Sequence, residues 1–130
     1  MSDITRLLDR GYTLIWREGR MEDALRGLGD DFEWVVPGHP EGDVRHGREG
    51  VIEFFRDWVE PWDDLDVAWE LHPAGPERAL ALIDMRGRGR ESGVPTEMRF
   101  CQLWTFRNGR AIRMVVYFDI DEARRAAGLA

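Results

Sequence analysis

The stretch from Ala79 to Asp119 reads ALALIDMRGRGRESGVPTEMRFCQLWTFRNGRAIRMVVYFD and carries two turn dipeptides, Ser92-Gly93 and Asn108-Gly109. Glycine supplies the positive φ that a tight hairpin demands, so the chain must break there into three antiparallel strands. Side chains alternate between faces along a strand. One face collects Ile83, Met85, Gly87 and Gly89, then Met98, Phe100, Gln102 and Trp104, then Met114, Val116 and Phe118. The other collects Asp84, Arg86 and Arg88, then Arg99, Cys101, Leu103 and Thr105, then Arg113, Val115, Tyr117 and Asp119. The first face is apolar and aromatic with one amide in its middle. It suits the inner wall of a curved sheet, with the earlier part of the chain as its lid.

A chain of 130 residues is expected to form one domain, residues 1–130, with room for a proper core. Six Trp and six Phe imply either an aromatic core or a cavity lined by rings. A net charge of −7 argues against a nucleic-acid partner, which needs a basic field. The single cysteine allows no intrachain disulfide and no cysteine metal cluster, in keeping with a reducing cytoplasm. No apolar window has the length of a membrane span, and no signal core opens the chain, so a soluble, cytoplasmic protein is expected.

Ahead of the meander, residues 3–18 have the spacing of an amphipathic helix, with Ser2 or Asp3 as its cap and Gly19 as its end. Its stripe includes Ile4, Leu7, Leu8, Gly11, Tyr12, Ile15 and Trp16. A short helix is expected over 21–28 and a strand over 32–37, with Phe32, Trp34 and Val36 on one face. Residues 38–46 form a loop rich in glycine, proline and charge. A third helix, 47–60, has Val51, Phe54, Phe55 and Trp58 as its stripe and stops at Pro61. The acidic run 60–66 suits a solvated connection before a strand over 65–72, and Asp121 would cap a last helix over 122–129. Helices gathered on one face of a mostly antiparallel sheet make an α+β domain. A bent sheet with helices across its mouth closes a cone whose interior is the natural ligand site.

In this order, several pieces of the chain resemble the SnoaL-like branch of the NTF2-like, ketosteroid isomerase-like superfamily. They are Tyr12 in helix one, GDDFEW (29–34), HGRE (46–49), RGRGRESG (86–93), LWTFRNGR (103–110) and YFDIDEARRAAGL (117–129). The resemblance covers nearly the whole chain and implies an NTF2-like (cystatin-like) cone: a curved, mostly antiparallel sheet with three to four helices enclosing a pocket. It implies a small-molecule site and, in some members, isomerase or polyketide cyclase chemistry. The family's isomerases use a carboxylate base with an oxyanion hole of a tyrosine and a protonated acid. By resemblance the tyrosine falls on Tyr12, the base on Val36 and the acid on Gln102. Valine moves no proton, so that mechanism is not available through the same residue.

What remains is a pair of neutral donors, Tyr12 and Gln102, which can polarise a carbonyl or merely orient a ligand. Asp119 matches the place near the last strand where SnoaL-type cyclases keep an acid, although alternation points it outward, where capping the last helix is its other role. His39 is a second candidate base, from a loop able to cover the cone's mouth. Asp84 and Arg86 match a pair used by limonene-epoxide-hydrolase-like relatives but fall on the outer face. The three histidines have no metal-ligand spacing, so no metal or cofactor is expected. Cys101 is expected as a buried structural thiol. The expected pocket wall comprises Tyr12, Trp16, Trp34, Val36, Phe54 and Trp58, together with Met85, Phe100, Gln102, Trp104, Met114 and Phe118. The expected partners are a small apolar or aromatic molecule, bound catalytically or not, and a second copy of the chain across the outer sheet face; a dimeric interaction module of the same fold, using that face, is a further alternative, and neither nucleic acid nor a membrane is expected.

Overall fold

The structure, a computed structural model, describes residues 3–37 and 44–129. Helix α1 (Asp3–Trp16) and the short α2 (Met21–Leu25) precede strand β1 (Leu28–Val35), then β2 (Val44–His46) and helix α3 (Gly47–Val59). Four long strands follow, β3 (Trp62–Pro73), β4 (Arg78–Gly89), β5 (Pro95–Arg107) and β6 (Arg110–Tyr117), and α4 (Ile120–Ala126) closes the chain. They form one six-stranded sheet in the order β2-β1-β6-β5-β4-β3, antiparallel except where β1 runs beside β6. This is the expected α+β architecture.

The two glycine turns fall where the sequence places them. Asn108 and Gly109 both have positive φ, 52° and 77°, the pairing that a two-residue turn needs to follow the twist of its strands. The β4–β5 register sets Gln102 opposite Ala81, and the β5–β6 register sets it opposite Val116. The amide therefore sits in mid-sheet on the inner face, as alternation requires.

Several boundaries differ from the sequence reading. Helix α2 stops at Leu25, and β1 begins at Leu28, because the turn ending the helix leads straight into pairing with Ala111. Val44–His46 is a strand rather than loop, paired with β1 through Trp34↔Arg45. The acidic run is not a connection: Trp62 and Asp63 pair with Gly89 and Arg88, and a bulge with Asp64 at φ 55° absorbs the extra residues. There Arg90 Nε donates to Asp63 Oδ1 at 3.1 Å. Finally, α4 starts at Ile120 and is capped by Asp119, whose Oδ1 accepts from the Glu122 N–H at 3.0 Å; Asp121 belongs to its first turn.

The sheet buries both faces. On the inner face, α1, α2 and α3 rest over the rings of β1 and β5. On the outer face, α4 lies on Leu80, Cys101 and Leu103, with Ala123 and Ala127 closing the contact. The outer face is therefore not a continuous mixed surface free for a partner; part of it is a second core. Gly87 and Gly89, on the inner face, do not open space for a ligand. A Cβ on Gly87 would stand 2.9 Å from Leu65 Cδ2, and one on Gly89 2.4 Å from Ser92 Oγ. Both positions make room for neighbouring chain.

Candidate functional site

Between the inner sheet face and the first three helices lies a cavity of about 290 Å³. Helix α1 contributes Tyr12 and Trp16, α3 contributes Phe54 and Trp58, and β1 contributes Trp34 and, just past its end, Val36. The meander adds Met85, Phe100, Gln102 and Trp104, with Phe118 at the rim. Eleven of the twelve expected wall residues are thus brought together. Met114 is the exception: it is fully buried but lies off the cavity wall. It stands on β6 between Trp34 and Trp104, whose strands are about 9.6 Å apart across it. Their ring centroids come within 6.3 Å, so the indoles lean together above the shorter methionine and seal it off.

The polar groups of the wall form a directed chain. Trp104 Nε1 donates to the Tyr12 hydroxyl oxygen at 2.9 Å, and the Tyr12 hydroxyl donates to Gln102 Oε1. An indole N–H can only donate, so this arrangement satisfies each group and fixes the amide with its oxygen toward tyrosine. The Gln102 NH2 is then the end of the chain, with two donors to offer. Burial pushes the Tyr12 phenol well above its ordinary value, with the Trp104 bond only partly offsetting that, so the group stays neutral. Tyr12 is also held from behind. Trp69 stacks on it at 5.4 Å, and Trp69 is in turn fixed by Asp9 Oδ1, which accepts its N–H at 2.8 Å, and by Arg17 at 4.9 Å from the ring.

The rest of the wall is apolar. Among the described residues that line it there is no carboxylate, imidazole, thiol, ammonium or guanidinium. Val36, where the resemblance places the family's base, is a buried hydrocarbon wall. Asp119 is exposed and occupied as a helix cap, away from the cavity, because β6 ends at Tyr117 and the chain turns into α4. His39 lies outside the described residues. Asp84 and Arg86 keep to the outer face: Arg86 pairs with Glu97 at 3.6 Å, while Oδ1 of the half-buried Asp84 has no hydrogen-bond partner among the described residues. Cys101 is buried under α4, and burial pushes its thiol up against the opposing pull of Arg99 and Arg124. It lies on the sheet face opposite the cavity and is not among the lining residues.

Sequence reasoning missed part of the wall, notably Leu7, Leu8 and Ile15 of α1 and Phe55 of α3. The α1 stripe already contained the first three, so the signal was present; depth along the helix decides which stripe residues meet space and which meet packing. A further site feature had no signal at all. The Trp34 indole N–H is buried with no hydrogen-bond partner among the described residues, a condition that costs about 1–3 kcal/mol when left unmet.

Comparisons with known proteins identify the family and the fold. A family model for the SnoaL-like domain matches residues 8–114. Among solved structures, an NTF2-like protein of unknown function from Burkholderia pseudomallei is 26% identical, with a TM-score of 0.78, over 96% of this chain and 97% of that one. TerC, crystallised with polyporic acid, is 23% identical with a TM-score of 0.76 over 98% and 99% of the two chains. A Mesorhizobium loti protein described as a SnoaL-like polyketide cyclase is 17% identical, with a TM-score of 0.66, over 88% and 98%. No curated protein matches. The family match spans most of the chain, and the chain belongs to the SnoaL-like domain family of the NTF2-like fold.

Proposed function

We propose that the cavity binds a small, cyclic, mostly apolar carbonyl compound, whose oxygen accepts from the Gln102 NH2 while its rings lie among the indoles. The observation that carries this reading is the polarity of the wall. Its hydrogen-bonding groups are neutral, and the free ones are donors, which matches a ligand that accepts without donating. A carboxylate ligand would find no cation among the described wall residues. A space of about 290 Å³ is at the small end of ligand sites and suits two or three fused rings. In the same fold, TerC was crystallised with polyporic acid, which supports the reading without transferring that ligand.

Binding is favoured over turnover by Val36, since the described wall residues supply donors without a base. The second reading, an isomerase or polyketide cyclase type of enzyme, keeps the same two donors as the polarising element. One well-placed donor is worth roughly 3 kcal/mol in a transition state. The base would then be His39 or a group of the substrate itself. A second copy of the chain is proposed to sit on the part of the outer face beyond α4, around Arg86, Glu97 and Arg99; sedimentation equilibrium at a monomer mass would refute it.

Tryptophan fluorescence titrated with steroids, phenols, polycyclic ketones and polyporic acid tests the binding reading. Saturable quenching that weakens about tenfold in Gln102→Leu is expected, and absence of binding by every compound with folding intact would overturn it. Solvent deuterium incorporation beside the carbonyl of a bound ketone, at rates above the protein-free control, would favour the enzyme reading instead.

A further inference from the structure

Glycine inside a helix weakens it relative to alanine, so such a residue calls for a physical reason. Gly11 stands well inside α1, and its φ is not positive, so neither a cap nor a turn explains it. Close packing does not explain it either. Beyond its chain neighbours and its helix's own backbone, a Cβ added at Gly11 would meet nothing within 4 Å, whereas one on Gly87 or Gly89 would collide. Gly11 does border the cavity, and so do Leu7 and Ile15, one turn to either side of it on the same face of α1. The missing side chain therefore leaves a notch in the cavity wall. We infer that Gly11 is a specificity-determining residue: the ligand's carbonyl end lies at Gln102 and its ring system extends into the notch over Gly11, making the preferred class a three-ring ketone rather than a two-ring one. This rests on the cavity being a ligand site.

The physical logic is one of volume. A third ring seated between Leu7 and Ile15 gains in proportion to the apolar surface it removes from water. A two-ring ketone held by the same amide leaves the notch unfilled and forgoes that gain. An isobutyl group at position 11 would take the notch from the protein's side, and its cost would fall on the larger ligand. The helix itself would be served better by Gly11→Ala, so the glycine is a local weakness placed where it enlarges the cavity.

The experiment compares decalin-1-one with perhydroanthracen-1-one and perhydrophenanthren-1-one by calorimetric titration, in the unmodified protein, Gly11→Ala and Gly11→Leu. At least one three-ring ketone is expected to bind the unmodified protein about tenfold more tightly than decalin-1-one, a difference of ~1.4 kcal/mol. In Gly11→Leu that ratio is expected to fall below about twofold, with decalin-1-one bound about as before. Without ligand, Gly11→Ala is expected to raise the urea midpoint by about 0.5 M. Nuclear Overhauser contacts from the bound three-ring ketone to the Gly11 Hα protons give a readout that needs no variant to fold. A decalone that binds as well as both larger ketones overturns the inference while leaving the cavity's binding role intact, and so does a preference that survives Gly11→Leu. Equal weakening of both classes by Gly11→Leu also overturns it, because the side chain then obstructs the cavity as a whole. A lowered urea midpoint in Gly11→Ala overturns it too, since the backbone or packing would then require the glycine, as does a bound ketone in contact with Trp104 but not with Gly11. Failure of every probe to bind refutes both the inference and the reading beneath it.

Discussion

Strand β5 separates two interiors of opposite character. Through Phe100, Gln102 and Trp104 it faces a ring-lined space, whereas through Cys101 and Leu103 it faces α4 in solid contact. All five residues are buried to a similar degree, so burial alone does not distinguish core from site. The difference lies in what covers each face. Helix α4 presents small residues, Ala123 and Ala127, and settles directly on the sheet. Helices α1 and α3 present Tyr12, Trp16, Phe54 and Trp58, and bulky rings facing other rings hold the layers apart. The outer interior is built to be filled by its own chain. The inner one keeps its polar groups pointed at a space.

The largest expected effect comes from truncating β4 on each face. Leu80→Ala removes a fully buried side chain from the outer core and should cost about 4 kcal/mol of stability. Ile83→Ala, whose side chain already borders the cavity, should cost about 2 kcal/mol, since part of its surface has no partner to lose. Urea denaturation of both variants measures this. Equal losses would mean that the inner face is packed as tightly as the outer.

Next is Tyr12→Phe, which leaves the Trp104 N–H and the Gln102 oxygen without their shared partner and should cost about 1–3 kcal/mol. It should also change the alkaline limb of stability. The folded-state pKa of Tyr12 is raised above its unfolded value, so the unfolded chain releases that proton first. The contribution is intact below about pH 10 and is lost above it at ~1.4 kcal/mol per pH unit. Denaturation from pH 9 to 11 should show a shallower alkaline decline in Tyr12→Phe than in the unmodified chain; parallel declines would place the phenol in a solvated environment.

The smallest effect is chemical. Buried under α4 with its thiol pushed up, Cys101 should react with a disulfide reagent only as fast as α4 opens. Saturating the cavity with ligand should leave that rate within about twofold, because the two interiors are on opposite sides of the sheet. Strong protection of the thiol by ligand would show that they communicate.

Much of this was legible in the chain. Alternation along the meander placed Gln102 among the rings, and Asn108-Gly109 fixed the hairpin that aligns it with Val116. The outer core was not legible, because a seven-residue helix with an alanine stripe does not reveal which sheet face it covers. Nor was β2, whose three residues form a strand only because β1 offers an edge. The acidic start of β3 looked like loop; its charges are tolerated because Arg90 meets Asp63 and a bulge turns the others outward. At the site, residue identities could be read but not hydrogen bonds. Tyr12 and Trp104 are 92 residues apart, and only the fold tells that one is the other's partner while the Trp34 N–H has none among the described residues.

The most direct test is to follow the side-chain amide resonances of Gln102 by nitrogen-15 NMR while a binding ketone is titrated. Saturable shifts of both NH2 protons, with a dissociation constant equal to that from fluorescence, are predicted if this amide is the group that receives the carbonyl. Unmoved amide resonances at full occupancy would show that the ligand is held elsewhere, and would contradict a site built around the Trp104–Tyr12–Gln102 chain.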